Sequence, residues 1–268
     1  MHQSSEMGSV MKIVICGKGG SGKSTVSALL SKSLANKGYR VLLIDADESN
    51  LGLHRMVGID PPCVMMDSLG GKKGFKEKTR SSFPPGEPGL FADTLTVDDL
   101  SAHCRQGKNG VSLMAIGKIH EPGEGCACPM GSLSRMILSR LVPGDKDMVI
   151  IDTAAGVEHF GRGIDSHSDL VVGVIEPSYE SLVLAEKMAA MAEQAELEIV
   201  FILNKVEDKV RKLMEQKIQR GRIIAEIGVN EDIFMAGIEG RMIQASPGAI
   251  DRAADWLINM KNRGKGSV

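Results

Sequence analysis

Gly17-Lys18-Gly19-Gly20-Ser21-Gly22-Lys23-Ser24-Thr25 carries the chemistry that is easiest to read in this chain. Its first eight residues satisfy G-x-x-x-x-G-K-[ST], between an apolar run, Ile13-Val14-Ile15-Cys16, and a segment with helical periodicity. Glycines that accept positive φ let successive backbone N–H groups curl around an anion. The helix that follows adds the positive end of its dipole. In that setting Lys23 reaches the β- and γ-phosphates of a nucleotide and the Ser24 hydroxyl ligates Mg²⁺. All nine residues are therefore expected to line a nucleoside triphosphate.

Lys18 sits where an ordinary phosphate loop needs no charge. The string KGGSGKST resembles the deviant Walker A motif of the MinD/ParA/nitrogenase-iron-protein class. The resemblance implies that Lys18 reaches across a dimer interface to the partner's nucleotide. A cation at the γ-phosphate stabilises charge that develops during phosphoryl transfer, as an arginine finger does. Hydrolysis would then be coupled to dimerisation. The alternative is a lysine that neutralises phosphate in cis.

Further carboxylates close apolar runs. The run 41–44 ends in Asp45-Ala46-Asp47, at the strand end where α/β sheets bind ligands. By resemblance to the class, Asp47 activates the attacking water, and Asp45 holds Mg²⁺ through water. A purely structural Asp45, capping the next helix, is the competing reading. The run 148–151 ends in Asp152 and resembles a Walker B strand, giving Asp152 a magnesium role. Asp152-Thr153-Ala154-Ala155-Gly156 resembles the start of a switch II segment, whose Gly156 N–H would meet the γ-phosphate. Asn204-Lys205 closes the run 199–203, and in this class such an asparagine reads the adenine edge. No N-K-x-D follows, which favours ATP over GTP.

Cys126-Ala127-Cys128 precedes a helix expected to begin near Ser132. On extended backbone, residues i and i+2 point the same way, and a helix N-terminus favours thiolate. Two thiolates do not fill a tetrahedral site, but two copies about a two-fold axis supply four, suited to Zn²⁺ or another soft-site metal. Unrelated loop cysteines are the bland reading. KGGSGKST, this C-x-C, the stretch DTAAGVEHFGRG from Asp152 and Ile175-Glu176-Pro177 together resemble the CooC family of nickel-insertion ATPases for carbon monoxide dehydrogenase. That resemblance implies a homodimer with ATP and Mg²⁺ in each subunit, a metal held by Cys126 and Cys128 of both, and carbon monoxide dehydrogenase or another nickel enzyme as client. Two other readings stand beside it. One is a positioning or partitioning ATPase of the MinD/ParA kind, which needs a DNA- or membrane-binding surface. The other is an iron–sulfur protein like the nitrogenase iron protein, whose cysteine ligands lie far apart in sequence.

The elements that must position these groups follow from periodicity. Runs 11–16, 41–44, 111–116, 148–151, 170–175 and 199–203 are near-continuously apolar, as strands covered on both faces are; 223–227 is a weaker candidate. Val26, Leu29, Leu30 and Leu34 mark a helix after the loop, and further helices are expected around 133–141, 178–194 and 249–260. The alternation predicts an α/β fold with a doubly wound, mostly parallel sheet flanked by helices. The lysine- and proline-rich stretch 68–88 reads as a solvated loop or, more sharply, as a docking surface for an acidic partner. Residues 1–10 read as a flexible extension before a single domain, 11–268. Formal charge is only −2 across 268 residues, which argues against a general polyanion binder, so no nucleic acid is expected. No run of about 18 apolar residues occurs, so no membrane span is expected. The five cysteines with no export pattern point to a cytoplasmic, reducing setting. Cys16 reads as core, Cys63 and Cys104 as structural, and His120 and Glu121 as surface residues.

Overall fold

The structure is a computed structural model that describes residues 11–81, 90–103, 105–107, 109–119, 127–157 and 167–263. The apolar runs become β1 (Lys12–Gly17), β2 (Arg40–Asp45), β4 (Val111–Ala115), β5 (Asp147–Asp152), β6 (Leu170–Ile175), β7 (Ile199–Val206) and β8 (Ile223–Gly228); a short β3 (Arg105–Gln106) joins them. Their order is β3-β4-β2-β5-β1-β6-β7-β8. Seven strands run parallel, and β3 pairs antiparallel at one edge. The expected doubly wound parallel sheet is what forms.

The helices are α1 (Lys23–Asn36), α2 (Leu53–Met56), α3 (Met65–Ser68), α4 (Gly71–Ser81), α5 (Cys128–Arg140), α6 (Tyr179–Gln194), α7 (Asp208–Lys217), α8 (Glu231–Glu239) and α9 (Gly248–Arg263). The two-sided burial of the strands explains their unbroken apolar runs. Ile13, Ile15, Leu43, Ile150 and Val172 face one core with Leu30 and Leu34 of α1 and Ile250 and Leu257 of α9. Their neighbours Val14, Leu42, Ile44, Val149 and Ile151 face a second core with Phe75 of α4 and Leu133 and Ile137 of α5. Val171, Phe201 and Leu203 meet α6 and α7 in a third. Each such side chain contributes about 1.5–3 kcal/mol when fully buried, so the sheet interior is the main source of stability.

Three local expectations change. The stretch read as a solvated loop from residue 68 is helical over Gly71–Ser81; Phe75 anchors it in the second core, and Gly70 and Gly71 make the turn into it at positive φ. Residues 82–88 lie outside the described residues. The helix expected near Ser132 begins four residues earlier, at Cys128, with a proline in its first turn. Strand β7 continues to Val206, with Lys205 at φ 57 in a register shift, so Asn204 and Lys205 sit on a bulge inside the strand end.

Beneath the sheet, Asp147 ties three segments together. Arg40 Nε and Nη2 donate to its two carboxylate oxygens at 2.7 and 3.1 Å, and the Gly144 N–H donates to it at 2.8 Å. The buried Lys261 ammonium from α9 donates to the Asp147 carbonyl at 3.0 Å. Asp147→Ala removes the acceptor of the Arg40 guanidinium and of the Gly144 N–H, while the Lys261 bond to the main-chain carbonyl remains. It should cost about 1–3 kcal/mol in urea unfolding, at an unchanged dependence on denaturant.

Candidate nucleotide and metal site

The phosphate loop grows directly from β1, flanked by β5 and β6. Two of its glycines are forced by space as well as by conformation. Gly17 has φ 150, and a Cβ there would run into the Val174 carbonyl of β6; Gly22 has φ 97, and a Cβ would run into the Asn204 amide of β7. The loop is held from three sides. Lys23, 7 % exposed, donates from Nζ to the Lys18 carbonyl at 3.2 Å. Asn204 Nδ2 donates to the Ser21 carbonyl at 2.8 Å, and Lys205 Nζ to the Gly20 carbonyl at 2.6 Å. Ser21 Oγ is fully buried and has no hydrogen-bond partner among the described residues. Gly19 and Thr25 take their expected places in the loop and the first turn of α1.

The strand register brings the carboxylates together. Ile15 of β1 aligns with Asp152, and Asp152 aligns with Asp45 across β5 and β2. Ser24 Oγ donates to Asp152 Oδ2 at 2.6 Å, and Ser27 Oγ to Asp152 Oδ1 at 3.0 Å. Asn50, which the sequence reading passed over, donates from Nδ2 to Ser24 Oγ at 3.0 Å and to Asp152 Oδ2 at 3.2 Å. Burial pushes Asp152 up to about 6, against the pull of the Ser24 and Ser27 hydroxyls and the Lys23 charge. The Ser24 hydroxyl and the Asp152 carboxylate at one point form a hard oxygen donor set that fits Mg²⁺, while Asn50 turns its NH₂ toward them and its Oδ1 accepts from the Gly52 N–H at 2.9 Å.

Asp45, expected to hold Mg²⁺ through water, makes a buried ion pair in this structure. Its Oδ2 receives Lys118 Nζ at 2.7 Å, and the same ammonium donates to the Asp47 carbonyl at 2.7 Å. Both side chains are more than nine-tenths buried. Burial raises Asp45 to about 7 even with Lys118 beside it. Asp45 Oδ1 accepts from the Asp47 N–H at 3.2 Å, so both of its oxygens hold the turn that carries Asp47. Lys118 was not singled out in the sequence; its signal was its place just past the end of β4, on the ligand side of the sheet. Asp47 Oδ1 accepts from the Ser49 N–H at 2.9 Å and hydroxyl at 2.6 Å, which fixes the carboxylate at the rim.

Lys18 Nζ lies 3.1 Å from Glu180 and 3.5 Å from Glu176. Glu176 also receives Lys205 at 2.9 Å. Hydrogen bonding to Glu180 raises the Lys18 ammonium above its usual range. Burial alone would raise Glu176, but Lys205 and Lys18 outweigh it and hold the carboxyl low. The Gly156 N–H donates to the Gly17 carbonyl at 3.0 Å, so in this structure it serves the loop backbone. Gly156 has φ 93, a conformation suited to glycine.

Of the thiol pair, Cys128 is exposed at the first position of α5. Cys126 lies outside the described residues, as do Cys104, His120, Glu121 and 158–163. The extended geometry assumed for the pair does not hold at its second half, because Ala127 has ψ 2 and Cys128 is helical. Cys16 is buried, as expected of core, whereas Cys63 is exposed.

Residues 12–243 match the family described as the CobQ/CobB/MinD/ParA nucleotide binding domain. An uncharacterized ATP-binding protein of Methanocaldococcus jannaschii is 44 % identical over 247 residues, 92 % of this chain and 99 % of that protein. The carbon monoxide dehydrogenase accessory protein CooC of Rhodospirillum rubrum is 35 % identical over 208 residues, 75 % of this chain and 76 % of that protein. Among solved structures, the septum site-determining protein MinD of Pyrococcus horikoshii, complexed with Mg-ADP, superimposes with a TM-score of 0.65 at 18 % identity, covering 96 % of this chain and 99 % of that one.

Proposed function

Because the chain belongs to the CobQ/CobB/MinD/ParA nucleotide-binding family, we propose that it is an ATP-hydrolysing homodimer that delivers nickel to an apo-enzyme such as carbon monoxide dehydrogenase. The observation that carries this reading is the pairing of a lysine-bearing phosphate loop with a thiol at the head of α5, in a chain 35 % identical to CooC. The phosphate loop N–H groups and Lys23 bind the phosphates. Ser24 and Asp152 would hold Mg²⁺, which neutralises charge between the phosphates, with the Asn50 NH₂ orienting both. Asp47, fixed by Ser49 and by Lys118 on its carbonyl, orients the attacking water and accepts its proton. Lys18 leaves Glu180 and Glu176 for the γ-phosphate bound by the other subunit. Asn204 keeps its carbonyl oxygen available to an adenine amine while its NH₂ holds Ser21.

Nickel is the cargo in this scheme. Cys126 and Cys128 of two subunits supply the four thiolates, and the dipole of α5 favours the thiolate form of Cys128. Titration of reduced, metal-free protein with Ni²⁺, with mass followed by light scattering, tests the assignment. One metal per two chains is expected, lost in a Cys126→Ser/Cys128→Ser variant. A dimer that forms with ATP alone and takes no metal would move the protein to the positioning class.

The MinD likeness supports a second reading at the level of fold. That reading needs a surface helix for a membrane. The last described helix, α9, instead buries Ala249, Ile250, Ala253, Ala254 and Leu257 against α1 and β8, and no described helix is long and apolar enough to cross a membrane.

A further inference from the structure

The charged stretch that the nucleotide chemistry leaves unused forms one wall of a groove. Lys72, Lys73, Lys76 and Thr79 of α4 face Cys128, Pro129 and Ser132 in the first turn of α5, around a space of about 510 Å³. Lys72, Lys76 and Thr79 are spaced i, i+4, i+7 and so lie along one helix face. Lys73 and Lys76 are exposed. Phe75 is 5 % exposed, clamping α4 onto the second core so that the lysines are presented by a fixed helix.

We propose that this groove docks an acidic segment of a partner protein, with its carboxylates on the α4 lysines and its chain passing the Cys128 thiol. Three features select that occupant. The chain as a whole carries a formal charge of −2, so the cluster is a local concentration of positive charge on a near-neutral chain, suited to a short acidic segment. The opposite wall is the N-terminal turn of a 13-residue helix, whose dipole also favours anions. The space between is a cleft between two helices with Pro129 in its lining, which fits a peptide chain. A duplex needs a continuous raised basic stripe, single strands need exposed aromatic rings for stacking, and Phe75 is not exposed.

The position of Cys128 in the same groove gives docking a purpose under the function proposed above. A client held there brings its acceptor ligands to the cargo thiol. That purpose rests on the nickel reading, whereas the binding of an acidic segment does not.

The probe is a fluorescein-labelled ten-residue poly-glutamate peptide, followed by anisotropy with the full chain. Binding is expected to weaken as salt rises. It should fall about tenfold or more in a Lys73→Glu/Lys76→Glu variant, since each exposed attraction is replaced by repulsion. Basal ATP binding should be unchanged, because neither lysine belongs to the nucleotide site. A second measurement fixes the place: the same peptide carrying a terminal maleimide should alkylate Cys128, mapped by mass spectrometry, faster than a poly-serine maleimide peptide. The thiolate sulfur adds to the maleimide double bond and a solvent proton completes the addition. That acceleration should vanish in the double lysine variant. Equal alkylation rates for the two peptides, or equal poly-glutamate affinity in wild type and variant, would overturn the proposal. Binding of a 20-nucleotide single strand or of phosphatidylglycerol vesicles more tightly than poly-glutamate, lost in the same variant, would overturn it as well. A Cys128→Ser variant that keeps peptide binding and loses nickel separates the fate of the groove from the fate of the metal site.

Discussion

Replacing Lys18 with alanine is expected to lower ATP turnover by about 10³-fold, the scale on which a charged finger acts on a γ-phosphate. ATP affinity of the single subunit should change little. The structure supplies the reason for this split. Lys18 is engaged within its own chain by Glu180 and Glu176, at 3.1 and 3.5 Å, on the rim beyond β6. The Glu180 side chain is 75 % exposed and that of Lys18 32 %, and exposed pairs of this kind contribute about 0–1 kcal/mol. A charge-assisted contact to phosphate contributes about 1.5–3 kcal/mol, so the exchange is favourable once a second subunit presents one. Mixing decides whether the lysine acts in trans. Lys18→Ala protein, which binds ATP, is combined with Lys23→Ala protein, which retains Lys18. Recovery of turnover in the mixture, when neither variant alone is active, places Lys18 on the partner's nucleotide. No recovery at any ratio, with mixed dimers present by mass, would leave Lys18 acting in cis.

Lys23→Ala should remove turnover by about 10²–10³-fold and weaken ATP binding together, since it withdraws a preorganised cation from a water-poor pocket. Among the described residues Lys23 makes one hydrogen bond, to the Lys18 carbonyl at 3.2 Å. The loop retains the Asn204 and Lys205 tethers without it. Thermal unfolding of the protein alone should therefore shift little. The rise in melting temperature that ATP confers on the wild type should disappear, because that rise follows from binding to the folded state. A melting temperature that collapses without nucleotide would show that Lys23 is structural first.

The sequence carried these two lysines plainly because a phosphate loop is a local object: strand, glycines, lysine and helix follow one another with fixed spacing. The strands were equally plain, since burial on both faces leaves runs such as Val149-Ile150-Ile151 with no polar interruption. What stayed hidden depends on distance in the chain. Lys118 meets Asp45 across 73 residues, and Asn50 meets Asp152 across 102; each is an ordinary residue until the register of β2, β4 and β5 is known. Glu176 was quoted as part of a motif, but its role as the shared acceptor of Lys18 and Lys205 needs the ends of β6 and β7 side by side. Helix α4 escaped because a single buried side chain, Phe75, carries its apolar period among lysines and glycines. Helices α7 and α8 escaped for a related reason: Met214 and Ala236 are their buried residues, too few to impose a period. The start of α5 was misplaced because Pro129 reads as a helix breaker, although the first turn tolerates it.

The short bridge between Gly17 and Gly156 has one more implication. An N–H that rests on a carbonyl and can turn to a phosphate never has to be left without an acceptor. The two arrangements then differ by the excess of one charge-assisted hydrogen bond over a neutral one, about 1 kcal/mol, rather than by the full cost of an orphaned donor. Such a hinge behaves as a nearly balanced toggle. A single phosphoryl group, present or absent, would tilt its populations about fivefold without any part of the sheet having to move.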